Sequence, residues 1–156
     1  MVTKYNFKTK PFAHQLEALE KCWDKKTYAL FMEMGTGKTK VLLDNIGVLR
    51  SQKLINGALI IAPKSVYTVW HLHDAMVVVD ESTCVKNYQA RRTKNILKLR
   101  KRSKYRRILS GFPTPKNPID LYTQCNFLDP NHLGFNSIVA FRNRYCFFET
   151  LYLNNR

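Results

Sequence analysis

Two short stretches carry residue types whose spacing suits phosphate chemistry. Met34-Gly35-Thr36-Gly37-Lys38-Thr39 stands between an apolar run, Tyr28 to Met32, and a helix-forming segment from about Lys38 to Gln52. Glycines there let backbone N–H groups turn inward and ring a phosphate, and the following helix start adds the positive end of its dipole. In that geometry Met34, Gly35, Thr36 and Gly37 form the cradle, Lys38 reaches the β- and γ-phosphates, and the Thr39 hydroxyl holds Mg²⁺. The full form of such a loop opens on a glycine, and here Met32 takes that place.

The second stretch is Asp80-Glu81, directly after Val77-Val78-Val79 and 42 residues beyond Lys38. Hydrolysis of a nucleotide calls for one carboxylate to hold Mg²⁺ through its water shell and another to orient or deprotonate the attacking water. Adjacent carboxylates at a strand end can do both, because the turn aims them differently. Alone the pair says little; in this position it is the expected second half of an ATP-hydrolysing site, with Lys38, Asp80 and Glu81 as its catalytic residues.

Elements of the right kind are present to position both stretches. Ala13 to Lys26 has Leu16, Leu19, Cys22 and Trp23 at helical spacing. Apolar runs predict strands at Tyr28–Met32, Ala58–Ala62, Met76–Val79 and Ile108–Leu109, the last ending at Ser110-Gly111. Further helices are expected after Pro118, carrying Leu121, Tyr122, Cys125, Phe127 and Leu128, and over Ile138–Tyr145. Short continuous apolar runs alternating with helices predict a three-layer α/β domain with a mainly parallel sheet covered on both faces. Ligands of such sheets sit at the carboxyl ends of the strands, and three of these strands end in polar residues, at Gly35, Asp80 and Ser110.

Composition narrows the class. With 156 residues, 45% hydrophobic and 12% aromatic, the chain is sized for one cored domain. Apolar runs of five residues, such as Ala75–Val79, fall far short of the ~20 a membrane span needs. The N-terminus lacks the apolar stretch of a secretory signal, so an intracellular, cytoplasmic place is expected, with nucleoid or nuclear association possible. The four cysteines show no CxxC spacing, which disfavours structural zinc, and His71 and His73 have no identifiable third metal ligand. The formal charge is +15, and ten basic residues with no acidic one lie between Arg91 and Arg107. A block of that density suits a polyanion, nucleic acid before membrane, or else a solvated helix face.

Six blocks in order give the chain a resemblance to superfamily 2 helicases, and within them to the Swi/Snf-type DNA-dependent ATPases. Phe12-Ala13-His14-Gln15 resembles the adenine-reading Q motif. Glu33 to Thr39 is similar to motif I, and Ala62-Pro63-Lys64-Ser65-Val66 with Trp70 to motif Ia. Asp80-Glu81-Ser82-Thr83-Cys84-Val85-Lys86-Asn87 is similar to motif II, and Ser110-Gly111-Phe112-Pro113 to motif III. Asn117, Asp120-Leu121-Tyr122 and Asn126-Phe127-Leu128 follow the pattern of the Swi/Snf group.

The resemblance implies a RecA-like P-loop fold over residues 1–130, with 131–156 a helical extension at the start of a truncated region. It implies ATP and Mg²⁺ as cofactors, Gln15 as the adenine contact, and Ser110 and Gly111 as the link between the ATP site and DNA. Duplex DNA is the implied partner, met by Lys64, Ser65 and the basic segment, with Arg91, Arg92, Lys98 and Arg102 among its candidates. That segment is expected to be a helix in which Ile96, Leu97 and Leu99 form one packed stripe.

Two substitutions depart from the family pattern: Thr83 stands where histidine is usual, weakening a polar link between motifs II and III, and Phe112 replaces a threonine. Between Trp70 and Ala75 only four residues bridge a segment that the family usually makes several tens long. No motif of a second RecA-like lobe follows Leu128, so the expectation is a first lobe that hydrolyses ATP slowly or not at all until a second lobe joins it in cis or trans. The competing reading is a non-catalytic nucleic-acid-binding module that retains a nucleotide pocket.

Overall fold

A computed structural model describes residues 5–62, 65–66, 75–114 and 118–147. Five strands form one sheet in the order β1-β5-β4-β2-β3. Four are parallel: β1 (Thr27–Phe31), β5 (Ser103–Ser110), β4 (Ala75–Val79) and β2 (Gly57–Ala62). The short β3 (Ser65–Val66) turns back antiparallel on β2.

All five residues of β4, Ala-Met-Val-Val-Val, are buried, because helices cover both faces of the sheet. Met76 and Val78 join Leu30 and Leu109 in a core closed by α1 (Ala13–Cys22) and α2 (Lys38–Ser51). Val77 and Val79 point the other way, into a core with Ile61, Ile108, Ile96 and Phe127, the last two from α3 (Arg91–Leu99) and α4 (Ile119–Leu128). Each buried valine contributes about 1.5–3 kcal/mol on this account. Beyond α4, α5 (Ile138–Tyr145) packs back through Phe141, whose ring lies 5.3 Å from that of Tyr122. The three-layer α/β architecture expected from the sequence is therefore present. Among the described residues no helix is long and apolar enough to cross a membrane.

The basic segment differs from expectation. Its helix stops at Leu99, a 3₁₀ turn covers Arg100–Arg102, and β5 starts at Ser103, so Lys104, Arg106 and Arg107 are strand residues. Alternation explains the burial: Tyr105, Arg107 and Leu109 face the α1/α2 layer. Arg107 is 0% exposed and forms no ion pair with a carboxylate among the described residues. Its Nε donates to Asn45 Oδ1 at 3.0 Å, its Nη2 to the Cys22 carbonyl at 2.7 Å, and its Nη1 to the Arg106 carbonyl at 2.9 Å. Desolvation pulls its guanidinium below the ordinary value, with the Cys22 thiol opposing that shift. Arg106 donates to the Leu128 carbonyl at 2.7 Å, and Arg100 grips Asn126 through both its carbonyl and its Oδ1. Part of the basic block thus ties elements together and is not a surface face.

The turn also splits what remains. Helix α3 connects the carboxyl end of β4 to the amino end of β5, so it runs antiparallel to the strands. Arg91 and Arg92 are exposed at its carboxyl-edge end, while Arg102 is exposed at the opposite edge of the sheet, with Lys98 exposed close to it.

Candidate nucleotide site

The loop between β1 and α2 is shaped by its glycines. Gly35 and Gly37 have φ of +78° and +81°, the left-handed region that side chains rarely enter. A Cβ on Gly37 would also lie 2.4 Å from Gln15 Nε2. Lys38 is buried at the first turn of α2 and donates to the carbonyls of Met32 at 3.1 Å and Glu33 at 3.0 Å. Its ammonium therefore lies inside the loop and, among the described residues, is held by neutral acceptors alone, which leaves its charge uncompensated there and suited to an anion.

Gln15 braces this loop from α1. Its Nε2 donates to the Thr36 carbonyl at 3.0 Å, its Oε1 accepts from the Phe12 N–H at 3.1 Å, and His14 Nε2 also lies 3.0 Å from the Thr36 carbonyl. The Thr36 hydroxyl donates to the Glu33 carbonyl at 2.7 Å.

Asp80 follows β4, and its N–H donates to the Ile61 carbonyl at 2.8 Å, extending the ladder with β2. Asp80 Oδ1 accepts from the Glu81 N–H at 2.9 Å. Glu81 adopts φ +47° and ψ +61° and opens a 3₁₀ turn over Ser82–Val85. A left-handed glutamate is strained, and such strain gathers where a side chain must be aimed. Neither carboxylate forms an ion pair among the described residues, although the chain carries a formal +15. No group of three or more His, Cys, Asp or Glu placed to hold a metal ion lies among the described residues. An uncompensated Asp80 with an exposed Thr39 hydroxyl fits Mg²⁺, which keeps several waters and takes few protein ligands.

Strand β5 lies between β1 and β4 and so carries Ser110-Gly111 between the phosphate loop and the acidic turn. Gly111 passes so close to the loop that a Cβ there would lie 2.9 Å from Met34 Cγ and 3.6 Å from Lys38 Nζ. Ser110 is buried, and its Oγ accepts from the Phe112 N–H at 3.1 Å.

Gln15, Met34 to Thr39, Asp80, Glu81, Ser110 and Gly111 therefore sit together at the carboxyl edge of the sheet. Arg91 and Arg92 share that edge; Lys98 and Arg102 do not. Ser65 lies on β3, opposite Ala62. Lys64, Trp70, His71, His73, Asn117 and the shortened segment after Trp70 lie outside the described residues. Fully buried Gln124 beside the site escaped sequence reasoning, and Ser82, also fully buried, was read there only as part of the motif II block. A glutamine among Leu121, Tyr122, Cys125 and Leu128 was the one signal for Gln124. A separate cleft of about 470 Å³ between α4 and α5, lined by Leu121, Phe135, Phe141 and Tyr145 among others, shares no residue with this site.

Comparison with known proteins gives a consistent picture. The family model described as SNF2-related domain matches residues 71–147. No curated protein matches. Among solved structures, the Sulfolobus solfataricus SWI2/SNF2 ATPase core in complex with dsDNA is similar, with a TM-score of 0.72 and 23% identity over 89% of this chain. The Sulfolobus solfataricus SWI2/SNF2 ATPase core domain is also similar, with a TM-score of 0.58 and 18% identity over 89% of this chain. The chain spans 39% and 38% of the length of those two structures. The RecA-like fold and the Swi/Snf resemblance expected from the motifs both stand: residues 71–147 match the SNF2-related domain model, and the chain has the fold of a SWI2/SNF2 ATPase core.

Proposed function

We propose that the chain is the ATP-binding lobe of a Swi/Snf-like helicase or translocase, which couples ATP hydrolysis to movement on or remodelling of DNA. The observation that carries this reading is the meeting of three strand ends at one edge of the sheet. β1 presents Lys38, β4 presents Asp80 and Glu81, and β5 brings Ser110-Gly111 between them.

In this reading Gly35, Gly37 and Lys38 bind the phosphates, and Lys38 exchanges its two carbonyl acceptors for phosphate oxygens. Thr39 and Asp80 hold Mg²⁺, which supplies neutralisation of the charge that develops on the phosphates. Glu81 orients and deprotonates the attacking water, a role worth ~10²–10⁴ in rate. Gln15 contacts adenine while bracing Thr36. Residues 1–130 act as the lobe and 131–156 as its helical extension. Duplex DNA is met by Arg91 and Arg92 at the carboxyl edge, and by Lys64 and Ser65 beyond β2; Lys98 and Arg102 offer a second contact away from it. A second RecA-like lobe, supplied in cis or trans, brings arginine fingers worth ~10³–10⁵ in rate, so the isolated chain is slow or inactive.

The test is phosphate release from ATP–Mg²⁺ with and without duplex DNA, beside Lys38→Ala and Glu81→Gln. Turnover that DNA raises and both variants abolish supports the motor lobe. DNA binding that persists with no nucleotide turnover, even after a second lobe is added, supports the non-catalytic module instead.

A further inference from the structure

The substitution of Thr83 removes the histidine through which the family pattern would link the acidic turn to the Ser110-Gly111 loop, yet the two are joined here by another route. Gln124, fully buried on α4, accepts from the Ser82 hydroxyl at 2.5 Å through Oε1. Its Nε2 donates to the Pro113 carbonyl at 2.7 Å and to the Asp120 carbonyl at 2.8 Å. Ser82 adjoins Glu81, and Pro113 lies three residues after Ser110. One side-chain amide therefore bridges both loops, with each of its two N–H groups committed.

The next residue strengthens the hold. Thr123, also fully buried, donates from Oγ1 to the Lys86 carbonyl at 3.1 Å, so α4 grips the segment after the acidic turn from two successive positions. Helix α4 is itself seated in the core through Phe127 and Leu128. Moving Ser82 without Pro113, or the reverse, strands a buried hydroxyl or amide, so the loops shift together or not at all.

We propose that Gln124 is a positioning residue that couples the Asp80-Glu81 turn to the Ser110–Pro113 loop, and through it nucleotide occupancy to DNA occupancy. The inference rests on the proposed function, since both ligands come from that reading.

The experiment uses the full chain and a fluorescent N-methylanthraniloyl ATP with Mg²⁺, titrated with and without a duplex oligonucleotide. In the wild type, duplex is expected to change nucleotide affinity at least about fivefold, the lower end of ordinary coupling. Gln124→Leu should bring that ratio close to one, while nucleotide affinity without DNA stays within about twofold. Ser82→Ala cuts only the acidic-turn half of the bridge and should lower the ratio as far. The double variant should lose no more than either single one, the mark of a shared route.

A ratio that survives in Gln124→Leu or Ser82→Ala, or a wild-type ratio of one, overturns the inference. Should Gln124→Leu fail to fold, Ser82→Ala and its ratio decide alone. A wild type that binds nucleotide no better than Lys38→Ala overturns the parent reading, and that failure is visible in the titration without DNA.

Discussion

Replacing Glu81 should separate what the backbone costs from what the side chain does. At φ +47° this residue carries a left-handed penalty of about 1–2 kcal/mol, which every L-residue shares and glycine does not. Glycine also gives the unfolded chain extra freedom, which offsets about 0.4–1 kcal/mol of that relief. Glu81→Gly should therefore be more stable than Glu81→Ala by about 0.8 kcal/mol, the difference between the two midpoints. For a domain of this size that is a rise in Tm of about 2–3 °C. The alanine variant is the correct reference, because it removes the same side chain and keeps the strain. Glu81→Gln isolates the loss of charge. The Glu81 N–H bond to Asp80 Oδ1 is available to all three. Urea and thermal unfolding of the series supply the comparison, with phosphate release beside it. With a second lobe supplied, all three variants should lose hydrolysis even though one of them is stabilised. A glycine variant no more stable than the alanine variant would refute the strain argument, and with it the idea that stability is given up here to aim a carboxylate.

Other outcomes follow from the same geometry. Arg107→Met should cost about 2–4 kcal/mol by stranding Asn45 Oδ1 and removing charged hydrogen bonds, yet leave the salt dependence of DNA binding unchanged. Arg92→Met should do the reverse, lowering the slope of log affinity against log salt by about one with little effect on unfolding. Gly37→Ala should weaken nucleotide binding at least about tenfold, since its Cβ meets Gln15 Nε2 in a left-handed turn; calorimetric titration checks this.

Alkaline pH should destabilise the fold. Burial pushes the Cys22, Cys84 and Cys125 thiols up, that of Cys125 from 9.0 to about 11. A thiol whose folded pKa is raised stays protonated when the unfolded chain has ionised. Its effect is absent below the unfolded value, and stability falls as pH rises from about 9 towards 11. Urea midpoints across that window should decline, and less steeply in Cys125→Ala.

Much of the candidate site's geometry was legible because it is local. The glycines, Lys38 and the apolar run before Asp80 lie in contiguous stretches whose spacing states the turns that carry them. The strands of β4 and β2 were legible for the same reason: a run such as Met76–Val79 has few other uses. The start of β5 was not, because Lys104, Arg106 and Arg107 hide the alternation that Tyr105 and Leu109 begin. Acceptors waiting on α1 and α2, beside the neighbouring Arg106 carbonyl, make a buried arginine tolerable, and no window of sequence contains them all. Gln124 was hidden likewise, since its partners Ser82 and Pro113 come from two other loops. The motifs named which loops meet, but the side chain that joins them is a tertiary fact.

The place of β1 in the sheet bears on how the domain is made. Among the described residues β1 is an edge strand, and its neighbour is β5, where Thr27 pairs with Arg106, 79 residues later in the chain. During synthesis the phosphate loop emerges early, but the strand that anchors it has no sheet to join until β5 has arrived. Closing so long a connection carries an entropic cost that only later contacts offset, so β1 is bound to be a late addition to the folding sheet. Until then Lys38 has no framework around it, and no ligand of the loop can template the fold from its amino-terminal half. The shape of the loop is thus a report that the chain has been completed through Ser110: a polypeptide stopped short of β5 would hold most of the loop's sequence and none of its shape.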